Sequence, residues 1–77
     1  MRNSFAQKFG DMVRRAREAR NLSQEELGFR VDIHKNYIGF IERAERNVSL
    51  EKAVLLIQYL NLNIEELYGK KPSKPTK

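Results

Sequence analysis

Residues 23–43 read SQEELGFRVDIHKNYIGFIER, and this stretch decides the fold of the chain. It opens with Ser23 and Glu26, and their spacing predicts a capping box, in which the serine hydroxyl accepts from the amide of Glu26 and the glutamate carboxylate reaches back. Leu27 and Val31 follow four positions apart, so they lie on one face of a helix. The stretch therefore begins with a short, capped helix whose apolar face is turned inward.

A turn and a second helix follow this capped helix. The periodic pattern shifts near Asp32, and a new one begins with Ile38 and Ile41 after the polar run of residues 34–36. His34, the first residue of this run, is expected to be the N-terminal neighbour or cap of the second helix. Gly28, in the middle of the first helix, leaves room for another part of the backbone to approach closely. Two short helices joined by about three residues have the layout of a helix-turn-helix.

The helix-turn-helix layout has a mechanical purpose in DNA recognition. The second helix docks on the core through Ile38 and Ile41, while its first turn projects donors and acceptors into a major groove wide enough for one helix. An ordinary helical hairpin, with its polar residues facing water, has the same spacing. The pattern alone leaves both interpretations open.

The rest of the chain predicts three more helices and no strand, because no run alternates with a period of two. The first helix carries one apolar stripe, formed by Phe5, Phe9, Met12, Val13 and Ala16. A fourth helix follows a cap at Ser49, and its inward face is expected to combine Leu50, Ala53, Val54, Ile57 and Leu60, widened by Leu56 and Tyr59. A last short helix, residues 64–68, follows a second capping box formed by Asn63 and Glu66 and ends at Gly69. We predict an all-α, compact five-helix domain.

Composition and charge favour a single small domain. The chain has 77 residues with 15 Lys plus Arg against 10 Asp plus Glu, a net charge of +5. Four of those lysines lie in residues 70–77, which we expect to be a flexible basic tail attached to a domain of residues 1–69. Within the domain, the part before residue 47 is basic and the rest is acidic, which suits contact with a polyanion at one end and a protein partner at the other.

Several classes of protein are disfavoured by what the chain contains. It has no cysteine and one histidine, so thiolate chemistry and a zinc site have no ligand set, and we expect no metal and no cofactor. No Gly-rich phosphate loop is present, and capping explains the paired acids, so we expect no catalytic residues and no enzyme. The longest apolar run has five residues, far fewer than the roughly 20 that span a bilayer. We expect a cytoplasmic protein with no membrane partner.

Taken together, these residues resemble the lambda-repressor-like (XRE) helix-turn-helix family of phage repressors and bacterial regulators. The resemblance covers about residues 5–68. It is carried by residues 23–27, Val31, Ile33, Ile38, residues 41–43 and Leu50. A narrower resemblance, to the homodimeric controller proteins of restriction-modification systems, is carried by residues 34–38, 41–43, 46–47 and 49–50.

The resemblance implies roles for individual residues. The side chains that would contact base edges are Lys35, Asn36, Tyr37 and Arg46. The residues that would contact the DNA backbone are Ser23, Gln24, Arg43 and Asn47. The implied dimer interface consists of Tyr59, Leu62, Ile64, Leu67 and Tyr68. Glu42 resembles the family's buried or half-buried structural acid, which pairs with an arginine of the first helix.

Four positions depart from the controller pattern. Lys35 stands where controllers commonly carry Arg, and a lysine cannot make the bidentate contact to guanine. Gly39 and Phe40 replace a small polar pair; we expect Phe40 to pack, with contact to a thymine methyl and simple exposure as alternatives. Ala44 stands where the family usually has Gly, so we expect no left-handed helix stop there and a helix that runs on by a residue or two.

The function that the resemblance implies is a sequence-specific, DNA-binding transcriptional regulator. It would act as a homodimer on an inverted-repeat operator in double-stranded DNA, as a restriction-modification controller associated with the nucleoid. Glu25 or Glu26, at the exposed end of the second helix, is a hypothetical contact for RNA polymerase. The alternatives are a phage-type repressor and a DNA-binding antitoxin or other protein-interaction module.

Overall fold

The computed structural model describes residues 4–68, without the side chains of Ser4 and Tyr68. The tail predicted at residues 70–77 lies outside the described residues. Four α-helices and a 3₁₀ helix follow one another in the order α1 Ser4–Ala19, α2 Gln24–Val31, α3 Lys35–Glu42, α4 Leu50–Leu60 and 3₁₀ Ile64–Tyr68. No strand occurs within residues 4–68, so the all-α prediction is confirmed for them. None of these helices is both long and apolar enough to cross a membrane.

The fifth predicted helix is a 3₁₀ helix, so the prediction of five α-helices is wrong. The amide of Glu66 donates to the carbonyl of Asn63 at 3.1 Å, three residues back, which is the 3₁₀ pattern. The Asn63 side chain accepts from the amide of Glu65 at 3.1 Å, instead of the Glu66 amide that a capping box requires. The Glu66 carboxylate instead faces Arg15 at 3.7 Å.

The core joins all four α-helices. Its fully buried side chains come one from each helix and are Val13, Leu27, Ile38 and Leu56. Each helix therefore turns its apolar stripe toward one shared centre, and with no disulfide in the chain this packing stabilises the fold.

The inward face predicted for α4 is wrong in part. The side chains at Leu56 and Leu60 are buried, whereas Leu50 is 81% exposed and Val54 is 41% exposed. Residues 53, 56, 57 and 60 follow the i, i+3, i+4, i+7 spacing of one stripe, and this stripe meets the core. Because α4 is apolar around most of its circumference, its pattern alone does not show which stripe faces inward.

The turn between α2 and α3 depends on the small residue in α2. Asp32 adopts a left-handed conformation with φ 61°, and the amide of Ile33 donates to the carbonyl of Gly28 at 2.9 Å. A Cβ atom at Gly28 would lie 2.2 Å from the carbonyl oxygen of Ile33, a separation that no side chain tolerates. The close approach expected at Gly28 is confirmed, and it sets where α3 begins.

The C-terminal end of α3 contradicts the expectation at Ala44. α3 ends at Glu42, and Ala44 is left-handed with φ 59°. The amide of Ala44 donates to the carbonyl of Ile41 at 3.1 Å, and the amide of Glu45 donates to the carbonyl of Phe40 at 2.9 Å. These two bonds form a Schellman motif, which satisfies the last carbonyls of the helix and outweighs the steric cost of the alanine Cβ.

Candidate nucleic-acid interface

The first turn of α3 is exposed and capped. His34 is its N-cap, as expected, and its Nδ1 accepts from the amide of Asn36 at 3.0 Å. Lys35 and Asn36 lie on the exposed side of this turn, whereas Ile38 and Ile41 are buried. The arrangement leaves two polar side chains projecting from a helix whose other face is fixed in the core.

Tyr37, the third residue of this turn, is held by its own chain. It is half-buried, and its hydroxyl oxygen accepts from the amide of Ser49 at 3.4 Å. The ammonium of Lys52 lies 5.3 Å from the centre of the Tyr37 ring. The hydroxyl hydrogen of Tyr37 is not used in the bond to Ser49, so Tyr37 could donate it to a base edge that lies beside the rim of its ring.

A partly buried polar cluster fixes the far end of α3. We call Arg17, Gln24 and Glu42 the polar layer. The Glu42 carboxylate accepts from Arg17 Nε at 2.8 Å and Nη2 at 3.1 Å, and from Gln24 Nε2 at 3.0 Å. Only 3% of the Glu42 side chain is exposed. The hydrogen bond to Glu42 raises the pKa of Arg17. The pairing of Glu42 with an arginine of the first helix is confirmed.

The start of α2 combines a cap with potential anion contacts. Ser23 Oγ accepts from the amide of Glu26 at 2.9 Å, and the amide of Ser23 donates to Glu26 Oε1 at 2.8 Å, so the predicted capping box is confirmed. The hydroxyl hydrogen of Ser23 is not used in the capping box, and the second side-chain amide hydrogen of Gln24 is not used in its bond to Glu42. The positive end of the helix dipole adds to the attraction for a phosphate.

Beyond α3, the chain turns back over Phe40. The guanidinium carbon of Arg46 lies 4.5 Å from the centre of the Phe40 ring, and that of Arg43 lies 5.7 Å from it. Arg43 also pairs with Glu45 at 3.0 and 3.2 Å, and this hydrogen bond raises the pKa of Arg43. Asn47 is exposed at the edge of an apolar groove. Of the alternatives for Phe40, the structure shows packing.

The four predicted dimer residues whose side chains the structure describes do not form one exposed surface. Tyr59 is half-buried and accepts from Arg30 Nη1 at 2.9 Å, and Leu62 and Leu67 pack partly against the core. Ile64 is 44% exposed, whereas the Tyr68 side chain lies outside the described part of the chain.

A different apolar surface lies on and beside the exposed side of α4. We call Phe5, Leu50, Val54 and Ile64 the apolar face; their exposures range from 41% to 81%. Phe5, Leu50 and Ile64 border a groove of about 460 Å³. Sequence reasoning missed three of these four residues because it assigned Phe5, Leu50 and Val54 to the core.

The sequence assigned no DNA-binding role to Lys52 and gave Phe40 one only as an alternative. Lys52 lies over Tyr37, and Phe40 lies under Arg46. Lys52 is the one basic residue between positions 47 and 69, so the charge pattern of the sequence already distinguishes it. Within residues 4–68, no three His, Asp or Glu side chains lie together as a metal site requires.

Comparison with known protein families identifies the arrangement. A family model described as helix-turn-helix matches residues 13–67. The chain is 44% identical over 55 residues to the control protein C.SmaI of Serratia marcescens, covering 71% of this chain and 66% of that protein. It is 40% identical over 68 residues to the control protein C.BamHI of Bacillus amyloliquefaciens, covering 87% of this chain and 84% of that protein.

A solved structure has the same fold. The crystal structure of the restriction-modification controller protein C.AhdI from Aeromonas hydrophila matches with a TM-score of 0.70 and 40% identity, covering 80% of this chain and 94% of that one.

Proposed function

Because the chain belongs to the helix-turn-helix family and, within it, to the control proteins of restriction-modification systems, we propose that it regulates transcription by binding an operator as a homodimer. The observation that carries this proposal is the first turn of α3, where Lys35 and Asn36 project from a helix that is otherwise anchored in the core. Rigid placement matters, because a side chain reads a base edge only at hydrogen-bonding distance.

The DNA contacts divide into two groups. Lys35, Asn36, Tyr37 and Arg46 are proposed to reach bases, with Lys35 acting as a single-point donor. Ser23, Gln24, Arg43 and Asn47 are proposed to contact the DNA backbone. Ser23 and Gln24 support this assignment because each keeps a hydrogen to donate while making its structural bond.

The proposed dimer buries the apolar face of each copy, which includes Ile64, one of the dimer residues predicted from the sequence. An exposed cluster of large apolar side chains is unusual on a monomer and is favourably buried against a second copy. A twofold dimer would place two α3 helices about 34 Å apart, matching half-sites one turn of DNA apart. In the cell, such binding would keep the protein with the nucleoid.

Contact with RNA polymerase is a separate proposal that rests on Glu25. Glu26 is engaged in the capping box, whereas Glu25 is exposed beside it. Glu25→Gln is expected to reduce transcription activation in a purified system without weakening operator binding. Unchanged activation would disprove this contact.

Selection of bound sequences from random duplex DNA tests the proposed function. We expect an inverted repeat with half-site centres about one turn apart. On the selected operator, Asn36→Ala should lower the affinity by about 1–3 kcal/mol, with little effect on random DNA. Gln58→Ala, an exposed polar residue of α4, is the matched control. Recovery of no sequence, with only salt-sensitive bulk binding, would overturn the operator and favour a protein-interaction module.

A further inference from the structure

Phe40 and Arg46 form a stacked pair at the end of α3. The guanidinium carbon of Arg46 lies 4.5 Å from the centre of the Phe40 ring, well within the range of a cation–π contact. Arg43 lies farther from the ring, at 5.7 Å, and its guanidinium is bound to Glu45. Arg46 is therefore the cation that the ring holds most closely.

The backbone brings this pair together. The left-handed residue Ala44 reverses the chain after α3, and the amide of Glu45 then donates to the carbonyl of Phe40 itself. Arg46 is the next residue after Glu45, so the Schellman motif places it close to Phe40. The helix stop therefore brings the backbone next to Arg46 close to that of Phe40.

Stacking has a chemical consequence for the arginine. A guanidinium that lies on an aromatic face keeps its N–H groups in its own plane, where they remain available to a pair of acceptors. Such a pair is offered by the O6 and N7 atoms of guanine or by two phosphate oxygens. Stacking also removes rotamer freedom that Arg46 would otherwise lose on binding.

We infer that Phe40 is a positioning residue for DNA binding: its ring holds the Arg46 guanidinium ready for a paired acceptor on the DNA. The inference rests on the proposed function, since it requires that Arg46 contacts the operator. It also explains why the large Phe40 ring is half-exposed on α3, without requiring that the ring contact a base itself.

A double-mutant cycle on the selected operator tests the inference. Phe40→Leu removes the ring but keeps an apolar side chain, and we expect it to weaken binding about five-fold. Phe40→Tyr keeps the ring and should bind as the parent does. In an Arg46→Ala background, Phe40→Leu should have almost no further effect. Phe29→Leu, at an 88% exposed phenylalanine of α2, is the matched control and should change nothing.

The outcomes separate this role from the alternatives. Equal losses from Phe40→Leu with and without Arg46 would overturn the inference and indicate a direct contact between Phe40 and DNA. A loss that tracks a lower unfolding midpoint would overturn it in favour of a structural role. A coupled loss supports it, and repeating the cycle on scrambled DNA identifies the acceptor: loss on both duplexes points to phosphate, and loss on the operator alone points to guanine.

The free protein provides a readout that does not depend on DNA. The Phe40 ring should shift the Arg46 side-chain protons upfield in the NMR spectrum, and Phe40→Leu should abolish the shift. Absence of the shift in the parent would overturn the inference even where operator binding is normal. A parent that shows the shift but selects no DNA sequence would instead overturn the proposed function, and with it the role of the stack in binding.

Discussion

The polar layer beneath α3 and the apolar face around α4 are built in opposite ways. In the polar layer, Glu42 is nearly fully buried and its carboxylate is bonded to Arg17 and Gln24 of the same chain. On the apolar face, Leu50 remains 81% exposed. The helix α3 is therefore positioned by the monomer alone, whereas the apolar face is favourably buried only against something outside the monomer.

The sharpest way to break the polar layer is Glu42→Ala. Removing one partner leaves the Arg17 guanidinium partly buried without its carboxylate, so we expect a loss of about 3–5 kcal/mol in the free energy of unfolding. Glu45→Ala, which removes an exposed acid a few residues away, should cost less than about 1 kcal/mol. Urea denaturation measures both. Equal, small losses would show that the layer does not hold α3.

The apolar face is tested by Leu50→Glu. The monomer should tolerate this change because the side chain is 81% exposed, but a dimer interface would bury an unpaired charge. We expect the dimer dissociation constant to rise about 100-fold, or about 2.7 kcal/mol, in sedimentation equilibrium. Phe29→Glu places the same charge on an exposed position of α2 and should leave dimerisation intact. If Leu50→Glu dimerises like the parent, the interface lies elsewhere.

The capping box makes the stability of the fold depend on pH. Hydrogen bonds from Ser23 hold the pKa of Glu26 below its ordinary value. The carboxylate of Glu26 therefore contributes stability above the unfolded pKa, and this contribution is lost as pH falls through the lower, folded pKa. Ser23→Ala should cost about 1 kcal/mol at neutral pH.

A second serine cap provides the control for this pH dependence. Ser49 accepts from the amide of Lys52 at 3.3 Å, and position 52 carries no carboxylate that could reach back. Ser49→Ala should therefore lower stability similarly to Ser23→Ala but keep the parent's acid dependence. Glu26→Gln removes the carboxylate that titrates, so it should flatten the acid dependence although the amide of Ser23 remains. Thermal unfolding between neutral and acidic pH measures these variants. Parallel pH curves for Glu26→Gln and the parent would contradict the assignment.

The smallest expected effect concerns the helix stop beside the polar layer. Because Ala44 is left-handed, Ala44→Gly should raise stability by up to about 1 kcal/mol. Ala16→Gly, in the middle of α1, should instead lower it by about 1 kcal/mol. Thermal unfolding of the two variants distinguishes them. Destabilisation by both changes would mean that residue 44 is not left-handed in solution.

Much of the structure of α2 and α3 was predictable from the sequence because its signals are local. The capping box of Ser23 and Glu26, the cap at His34 and the close approach at Gly28 each depend on residues within about five positions of one another. The inward stripe of α4 was misassigned because several stripes of that helix are apolar. Proposed DNA contacts and dimer residues remain predictions that the variants above test.

The sequence by itself determined where helices begin, which residues form the first turn of α3, and that the fold is all-α in residues 4–68. Tertiary structure decided what depends on contacts between distant segments. A Cβ at Gly10 would lie 2.2 Å from the carbonyl of Ile41, so the crossing of α1 and α3 requires that glycine. The end of α3, the exposed stripe of α4 and the stack of Arg46 on Phe40 likewise follow from packing, because propensity within one segment is weaker than the contacts that a folded core imposes.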